Sequence, residues 1–338
     1  MNQRQLGRDL RVSALGLGCM GFSHAYGAAI EEREGVRLLR QAVDLGYTFF
    51  DTAEVYGTPA DPHANETLVC KALAGRQVVI ATKFGLRFDF ASGKVPLPLI
   101  PDSRPESIRR SVDGSLKRLS VDHIDLYFQH RIDPAVSPET VAGVMAELIQ
   151  AGKITHWGIS EANEDYLRRA HQVCPVTAVQ NRYSMMARHY ETLFPTLEEL
   201  GVGLVAFSPM ANGFLTGRYG KGDSFDPKTD YRAAMPQFAS EAIDQNQGLL
   251  SMLRTMAAEK NATPAQISLA WMLCKKPWIV PIPGTRKVER MQENAGAAQV
   301  YLSPEEEKTL DEALNHMQMS AVFGGTNIIQ NNISSRRN

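Results

Sequence analysis

Apolar residues along this chain alternate between two rhythms. Short runs rich in Val, Ile, Phe and Tyr are each followed by a longer segment whose apolar positions recur at helical spacing. The short runs lie at 14–18, 47–51, 78–83, 123–129, 155–160, 176–180, 202–208 and 278–282, and each predicts a strand. Between them the helical rhythm predicts helices over 31–45, 65–74, 104–119, 138–151, 163–172 and 190–200. Two more, over 241–260 and 264–275, precede the last strand, and two, over 286–298 and 304–317, follow it. Pro105, Pro138, Pro264 and Pro304 fall near helix starts, where a missing N–H costs no hydrogen bond. Ser303, ahead of Pro304 and Glu306, has the character of an N-cap. Ahead of the first strand, Leu6 to Val12 reads as a hairpin turning at Gly7.

Strict strand–helix alternation implies a parallel sheet covered by helices, and eight such units favour a closed (β/α)8 barrel of the TIM type over an open sheet. The expected fold is that barrel with an N-terminal hairpin and two extra helices. A chain of 338 residues fits one such barrel with insertions. No linker, charge run or low-complexity stretch marks a second domain, so 1–318 is expected to be one domain. The tail 319–338, rich in Asn, Ser and Arg, is expected to be loosely held.

Composition narrows the function. A formal net charge of −1 without long runs of one sign does not favour binding to nucleic acid or to anionic membranes. No apolar stretch approaches the ~20 residues that span a bilayer. The segment Met1 to Asp9 is polar and holds no apolar signal region. Cys19, Cys70, Cys174 and Cys274 are far apart, contain no C-x-x-C and read as reduced thiols. These features predict a cytoplasmic enzyme, and no Cys/His/acid spacing suggests a metal.

The chemistry lies in where polar residues interrupt the pattern. Asp51, Lys83, His130, Ser160, Gln180, Ser208 and Gly284 each end an apolar run or follow it at once. In a parallel barrel those ends share one rim, where the active sites of this fold lie. Five residues past Asp51 stands Tyr56, on a loop short enough to fold back over the strand end. A free phenol has a pKa near ~10 and is a poor acid at neutral pH. A cation against it favours the phenolate and lowers that value. Lys83 is the expected cation, and Asp51 pairs its buried charge.

The stretches D-T-A-E-V-Y-G (51–57), T-K-F-G (82–85) and Y-F-Q-H (127–130) resemble those of the aldo-keto reductases, and the resemblance runs over roughly 4–317. It implies carbonyl reduction with hydride from a reduced nicotinamide. Tyr56 would donate the proton, Lys83 and Asp51 would tune it, and His130 would orient the carbonyl.

The resemblance also implies a cofactor site. Gly16-Leu17-Gly18-Cys19-Met20-Gly21 matches G-x-G-x-x-G, but Phe22 to Ile30 reads as a loop rather than a helix. The acid at Asp51 also lies thirty residues beyond Gly21 rather than about twenty, so a Rossmann reading is set aside. Those glycines, with Met20, are expected to let the first loop approach the cofactor. G-I-S-E-A (158–162) and V-Q-N-R (179–182) are similar to the family's carboxamide site, carrying Ser160 and Gln180. Many relatives have Asn directly after that Ser, where this chain has Glu161, with Asn163 two residues on. The segment 206–215 resembles the stacking and diphosphate loop, with Phe207 on the nicotinamide and Ser208, Pro209, Met210, Asn212, Gly213 and Leu215 around it. Lys221 is expected to close over the diphosphate. In 281–294, Ile282, Gly284 and Thr285 lead into a helix N-terminus, a natural phosphate site. Arg286, Lys287 and Arg290 there suit the 2′-phosphate of NADPH, and Glu293 and Asn294 would reach the adenine.

Loops 84–103 and 209–240 are long for barrel connections and are expected to shape the substrate pocket, with Phe84, Phe88, Phe90, Tyr231 and Phe238 as candidate walls. His24 and His189 read as surface residues. A competing expectation is a cofactor-bearing regulatory protein of the same fold, like the potassium-channel β subunits, with little turnover. A third, a lyase or isomerase on a plain barrel, predicts no nicotinamide binding.

Overall fold

The computed structural model describes residues 1–94 and 97–322; the part of the expected tail from 323 onward lies outside them. A hairpin, β1 (Gln3–Leu6) and β2 (Leu10–Ser13), opens the chain. Alternation then begins with β3 (Leu17–Gly18), α1 (Glu32–Asp44), β4 (Phe49–Asp51), α2 (Ala64–Leu73) and β5 (Val79–Phe84). A small antiparallel pair, β6 (Leu86–Phe88) and β7 (Leu99–Pro101), interrupts it. It resumes with α3 (Pro105–Leu119), β8 (Ile124–Gln129), α4 (Pro138–Gln150), β9 (Ile154–Ser160) and α5 (Glu164–Val173). Next come β10 (Ala178–Arg182), α6 (Phe194–Leu200) and β11 (Gly203–Phe207), then α7 (Ser240–Gln245), α8 (Gln247–Glu259) and α9 (Pro264–Lys275). The chain finishes with β12 (Ile279–Pro281), α10 (Val288–Gly296) and α11 (Pro304–His316).

The eight strands β3, β4, β5, β8, β9, β10, β11 and β12 pair in parallel in that spatial order. The two outer edges meet as well. Gly16 N–H donates to the Pro281 carbonyl at 2.9 Å and Gly18 N–H to that of Pro283 at 3.4 Å, which closes the (β/α)8 barrel. Gly18 has to be glycine here, because a Cβ would stand 3.0 Å from the Ile282 carbonyl oxygen.

Period-two alternation decides which side chains enter the barrel. Phe49, Ala81, Leu126, Phe128, Ala178, Val205 and Val280 pack together inside it. Leu6, Leu10 and Val12 of the hairpin join the same cluster and plug the floor. Side chains of the opposite parity, such as Phe50, Tyr127, Trp157, Ile159 and Val179, face the helices in the outer core. Stepping by two from the interior residues leads to Asp51, Lys83, His130, Ser160, Gln180, Phe207 and Ile282. Asp51, Lys83, His130, Ser160 and Gln180 therefore continue the inward face as expected, and so does Gly284 one step beyond Ile282; Ser208, directly after Phe207, falls on the other parity.

Several expected elements are modified. The helix over 190–200 starts as a 3-10 turn, His189–Leu193, before α6. The helix over 241–260 splits at Asn246, whose side chain donates to Ser320 Oγ (2.8 Å) and accepts from Ser320 N–H (3.1 Å). Asn246 is thus committed to the C-terminal segment. The G-x-G-x-x-G glycines lead only into a short 3-10 turn, Met20–Phe22, as the loop reading expected. Thr263 and Ser303 both form full capping boxes.

Gly158 on β9 offers a sharp check of this packing. A Cβ there would lie 2.3 Å from Phe128 Cε1 and 2.4 Å from the Ala178 carbonyl oxygen. Gly158→Ala is expected to lose about 1–3 kcal/mol of stability by overpacking. An unchanged urea midpoint would show that the barrel wall has room at this position.

Candidate active site

Strand ends β4, β5 and β8 bring the polar residues together. Lys83 Nζ donates to Asp51 Oδ1 at 2.6 Å and to the Thr52 carbonyl at 2.7 Å. Both side chains of the pair are buried, at 0% and 4% exposure. The same ammonium stands 4.7 Å from the centre of the Tyr56 ring. The Tyr56 ring meets His130 edge-on, with centroids 5.5 Å apart and planes at 83°. On the far side, Gln180 Nε2 donates to Asp51 Oδ2 at 2.7 Å, so the carboxylate is held from two strands.

The loop carrying Tyr56 is fixed from behind. Thr52 Oγ1 donates to Asn65 Oδ1 at 2.7 Å, and Asn65 Nδ2 donates to the Cys19 carbonyl at 2.9 Å and to Ser23 Oγ at 2.5 Å. Ser23 Oγ donates in turn to the Tyr56 carbonyl at 2.6 Å. Gly57 follows because a Cβ there would sit 2.0 Å from the Asp61 carbonyl oxygen. These contacts set the phenol's place before any ligand arrives.

Electrostatics give the groups distinct protonation states. Burial raises the Tyr56 phenol, and the Lys83 charge opposes this without overcoming it, so the net shift is upward. The expectation that Lys83 would lower the phenol's pKa is therefore corrected: desolvation wins. Burial alone would lower the Lys83 ammonium, but the Asp51 carboxylate and, after it, the Tyr56 phenol together outweigh this and its pKa ends raised. His130 is pushed well below the ordinary imidazole value, first by burial and then by the charges of Arg131 and Lys83. At neutral pH the phenol is protonated and the imidazole uncharged. His130 Nδ1 is buried without a hydrogen-bond partner.

A cavity of about 560 Å³ opens above these groups, within the range of small-molecule sites. Its walls include Gly18, Met20, Asp51, Tyr56, His130, Ser160, Gln180 and Phe207. Ser208, Pro209, Met210, Asn212, Gly213, Ile282, Gly284, Thr285, Arg286, Arg290, Glu293 and Asn294 continue them. Ser208, Ala211, Asn212 and Gly213 have φ of 51°, 47°, 60° and 99°, so this loop winds left-handed, and the Ala211 and Gly213 N–H groups donate back to the carbonyls of Ser208 and Met210. Arg286, Lys287 and Arg290 line the wall where α10 begins. The amide nitrogen of Asn294 is buried, unpartnered and set in the same wall. A cation-lined helix start, a left-handed loop, an aromatic face and a waiting amide fit a nicotinamide dinucleotide.

Some expected residues stand elsewhere or are already engaged. Lys221 is exposed, pairs with Asp244 at 2.6 Å and does not line the cavity. Leu215 is fully buried in the outer core. Arg286 donates to the carbonyls of Ala28 and Tyr26 at 2.7 Å each, tying the first loop to the segment that leads into α10. Arg290 is paired with Glu293. Asn163 caps α5, accepting from Tyr166 N–H. Of the candidate substrate walls only Tyr231 lines the cavity; Phe84 packs on Tyr127, Phe90 is 65% exposed and Phe238 packs on Phe214. His24 is not a surface residue: it lines the cavity and shares a 2.7 Å hydrogen bond with Tyr231. Sequence reasoning missed Arg131, Leu86, Leu99, Tyr219 and Arg232 in the lining. Arg131 directly follows His130, and that adjacency was the one available signal.

A closed parallel barrel that carries a buried acid–lysine pair, a phenol and an imidazole at its C-terminal rim has the architecture of a barrel enzyme. The Aldo/keto reductase family model matches residues 14–315, and the chain belongs to that family. A probable aldo-keto reductase 1 of Glycine max is 41% identical over 322 residues, covering 94% of this chain and 89% of the relative. The structure of a glycerol dehydrogenase of Gluconobacter oxydans superposes with a TM-score of 0.85 at 26% identity, covering 96% of this chain and 98% of that one. An aldo-keto reductase of Bacillus halodurans, in its holo form, gives 0.74 at 28% identity, covering 93% and 96%. Membership carries carbonyl reduction of small molecules with a nicotinamide cofactor. Among the described residues no helix is long and apolar enough to cross a membrane, and no cluster of side chains could hold a metal.

Behind the rim, Glu54 is buried, accepts from Gly85 N–H at 3.2 Å, and is pushed up to about 8 by burial and then by the neighbouring charge of Glu66. Its unfolded value is about 4.3. The folded state therefore holds the Glu54 proton more tightly, and the stability this confers is complete below the unfolded value. It is lost as pH rises toward about 8. Chemical denaturation across that window is expected to show a decline that Glu54→Gln flattens. An equal slope in the variant would assign the decline to other groups.

Proposed function

We propose that the protein is a cytoplasmic NADPH-dependent reductase of aldehydes or ketones, with residues 1–318 working as one domain. The observation that carries this reading is the meeting of Tyr56, Lys83, Asp51 and His130 at one point beside a dinucleotide-sized cavity. A bound reduced nicotinamide supplies the hydride to the carbonyl carbon. Tyr56, kept protonated by burial, donates its proton to the carbonyl oxygen. Lys83 stabilises the phenolate left behind, and Asp51 keeps the lysine charged within the protein. His130, neutral, offers a hydrogen bond to the same oxygen and holds it toward Tyr56. Met20, Ser160, Gln180 and Phe207 bound the nicotinamide end, and Ser208 to Gly213 the diphosphate. Arg286, Lys287 and Arg290 favour a 2′-phosphate, with Arg290 drawn from Glu293 toward it.

Steady-state oxidation of NADPH with simple aromatic aldehydes tests the reading. Many turnovers per chain are expected; oxidation that stops at one equivalent would instead favour a cofactor-bearing binding module. Tyr56→Phe is expected to lower kcat by about 10²–10⁴-fold while NADPH affinity stays the same. Wild-type turnover in that variant would remove Tyr56 from the chemistry. Arg290→Ala is expected to weaken NADPH by roughly tenfold, the worth of one charge-assisted hydrogen bond, with NADH unchanged. Equal affinity of the wild-type protein for the two cofactors would contradict the assigned phosphate site.

A further inference from the structure

A nicotinamide carboxamide brings one carbonyl acceptor and two N–H donors, so its pocket needs both a donor and an acceptor. Ser160 and Gln180 line the cavity next to Asp51. Ser160 Oγ has a single proton, which it donates to the Gln180 carbonyl at 2.9 Å. Its lone pair accepts from Arg131 Nη1 at 3.2 Å. Gln180 turns its amide nitrogen to Asp51, which leaves Oε1 as an acceptor. This part of the wall thus supplies the Oε1 acceptor for the carboxamide N–H; the hydroxyl proton is spent, and the donor left is the second N–H of a Gln180 nitrogen already held by Asp51.

The two neighbouring candidates add no donor. Asn163 is committed to its helix cap, and neither it nor Glu161 lines the cavity. Glu161 instead faces two guanidinium groups, with Arg131 Nε at 3.4 Å and Arg182 Nη2 at 3.5 Å. It does so from a left-handed backbone with φ of 53°, a conformation that a non-glycine residue adopts at a cost. Arg131 does line the cavity and is only 8% exposed. Nη1 is used on Ser160 and on the His130 carbonyl, the latter at 2.7 Å. Nη2 has no hydrogen-bond partner among the described residues. A buried guanidinium therefore presents an unused donor beside Ser160 and Gln180, held in place and charge-balanced by Glu161.

We propose that Arg131, positioned by Glu161, donates the hydrogen bond that holds the carboxamide oxygen of the bound nicotinamide. The inference rests on the reading of the cavity as an NADPH site. Glu161 cannot itself replace a donor, because an ionised carboxylate only accepts. It acts through Arg131, which makes it a positioning residue.

Binding rather than turnover tests the assignment. NADPH affinity is measured by quenching of tryptophan fluorescence, and 2′,5′-ADP, which has the adenosine and 2′-phosphate but no nicotinamide, by calorimetry. Arg131→Met is expected to weaken NADPH by about tenfold and leave 2′,5′-ADP unchanged; Arg131→Lys is expected to recover part of the loss. Unchanged NADPH affinity in Arg131→Met overturns the proposal. Equal weakening of NADPH and 2′,5′-ADP overturns it too, since Arg131 would then support the fold or attract phosphate in general. A defect confined to KM for the carbonyl substrate would move Arg131 to the substrate side. A wild-type protein that binds 2′,5′-ADP and NADPH not at all would sink the cofactor reading itself, and this assignment with it.

Discussion

The ion pair between Lys83 and Asp51 is the constraint on which the rim depends. Neither group survives there alone, because an unpaired ion in a protein interior costs several kcal/mol. The pair meets at 2.6 Å, and each partner has a second anchor: the Thr52 carbonyl for the lysine and the Gln180 amide for the aspartate. Satisfying those charges locks the ends of β4, β5 and β10 into one arrangement. The Tyr56 phenol then sits against a cation whose place the whole barrel determines.

From that arrangement follows a division of protonation states. Burial works on every group at the rim and always against charge. The lysine escapes it because a carboxylate is in contact. The phenol and the imidazole do not, and both remain neutral near pH 7. A protonated phenol and a neutral imidazole are the states that the proposed proton donation by Tyr56 requires. In the proposed reaction Lys83 would matter most after the proton has left, when it would face a phenolate.

The cavity wall beyond the rim depends on loops more than on strands. Gly18 and Gly284 come close only because neither carries a Cβ. Arg286 ties the first loop to the start of α10 through two backbone carbonyls. Tyr26 bridges to Asp230, and Tyr231 N–H donates to the Ala25 carbonyl at 2.9 Å, so loops far apart in sequence meet across the cavity mouth. Asn212 Nδ2 donates to Tyr26 Oη at 2.6 Å and joins the left-handed loop after β11 to the same segments.

Sequence alone determined the barrel and its inward face. Alternation of strand and helix specifies a parallel sheet, and the step of two along a strand places Asp51, Lys83, His130, Ser160 and Gln180 on the side of Phe49, Ala81, Phe128, Gly158 and Ala178. Both are local periodicities, so they are legible residue by residue. Tertiary structure alone decided which polar group meets which. Lys221 found Asp244 rather than the cavity, and Phe84 found Tyr127. His24 came in from a loop to meet Tyr231, and Arg131, of outward parity, turned to Ser160 and Glu161. Such pairings depend on loop paths and on competition among nearby charges for burial, and no local pattern encodes either. For the same reason the sign of the phenol's shift was open until its burial was known, since a chain pattern shows the cation but not the water that has been removed.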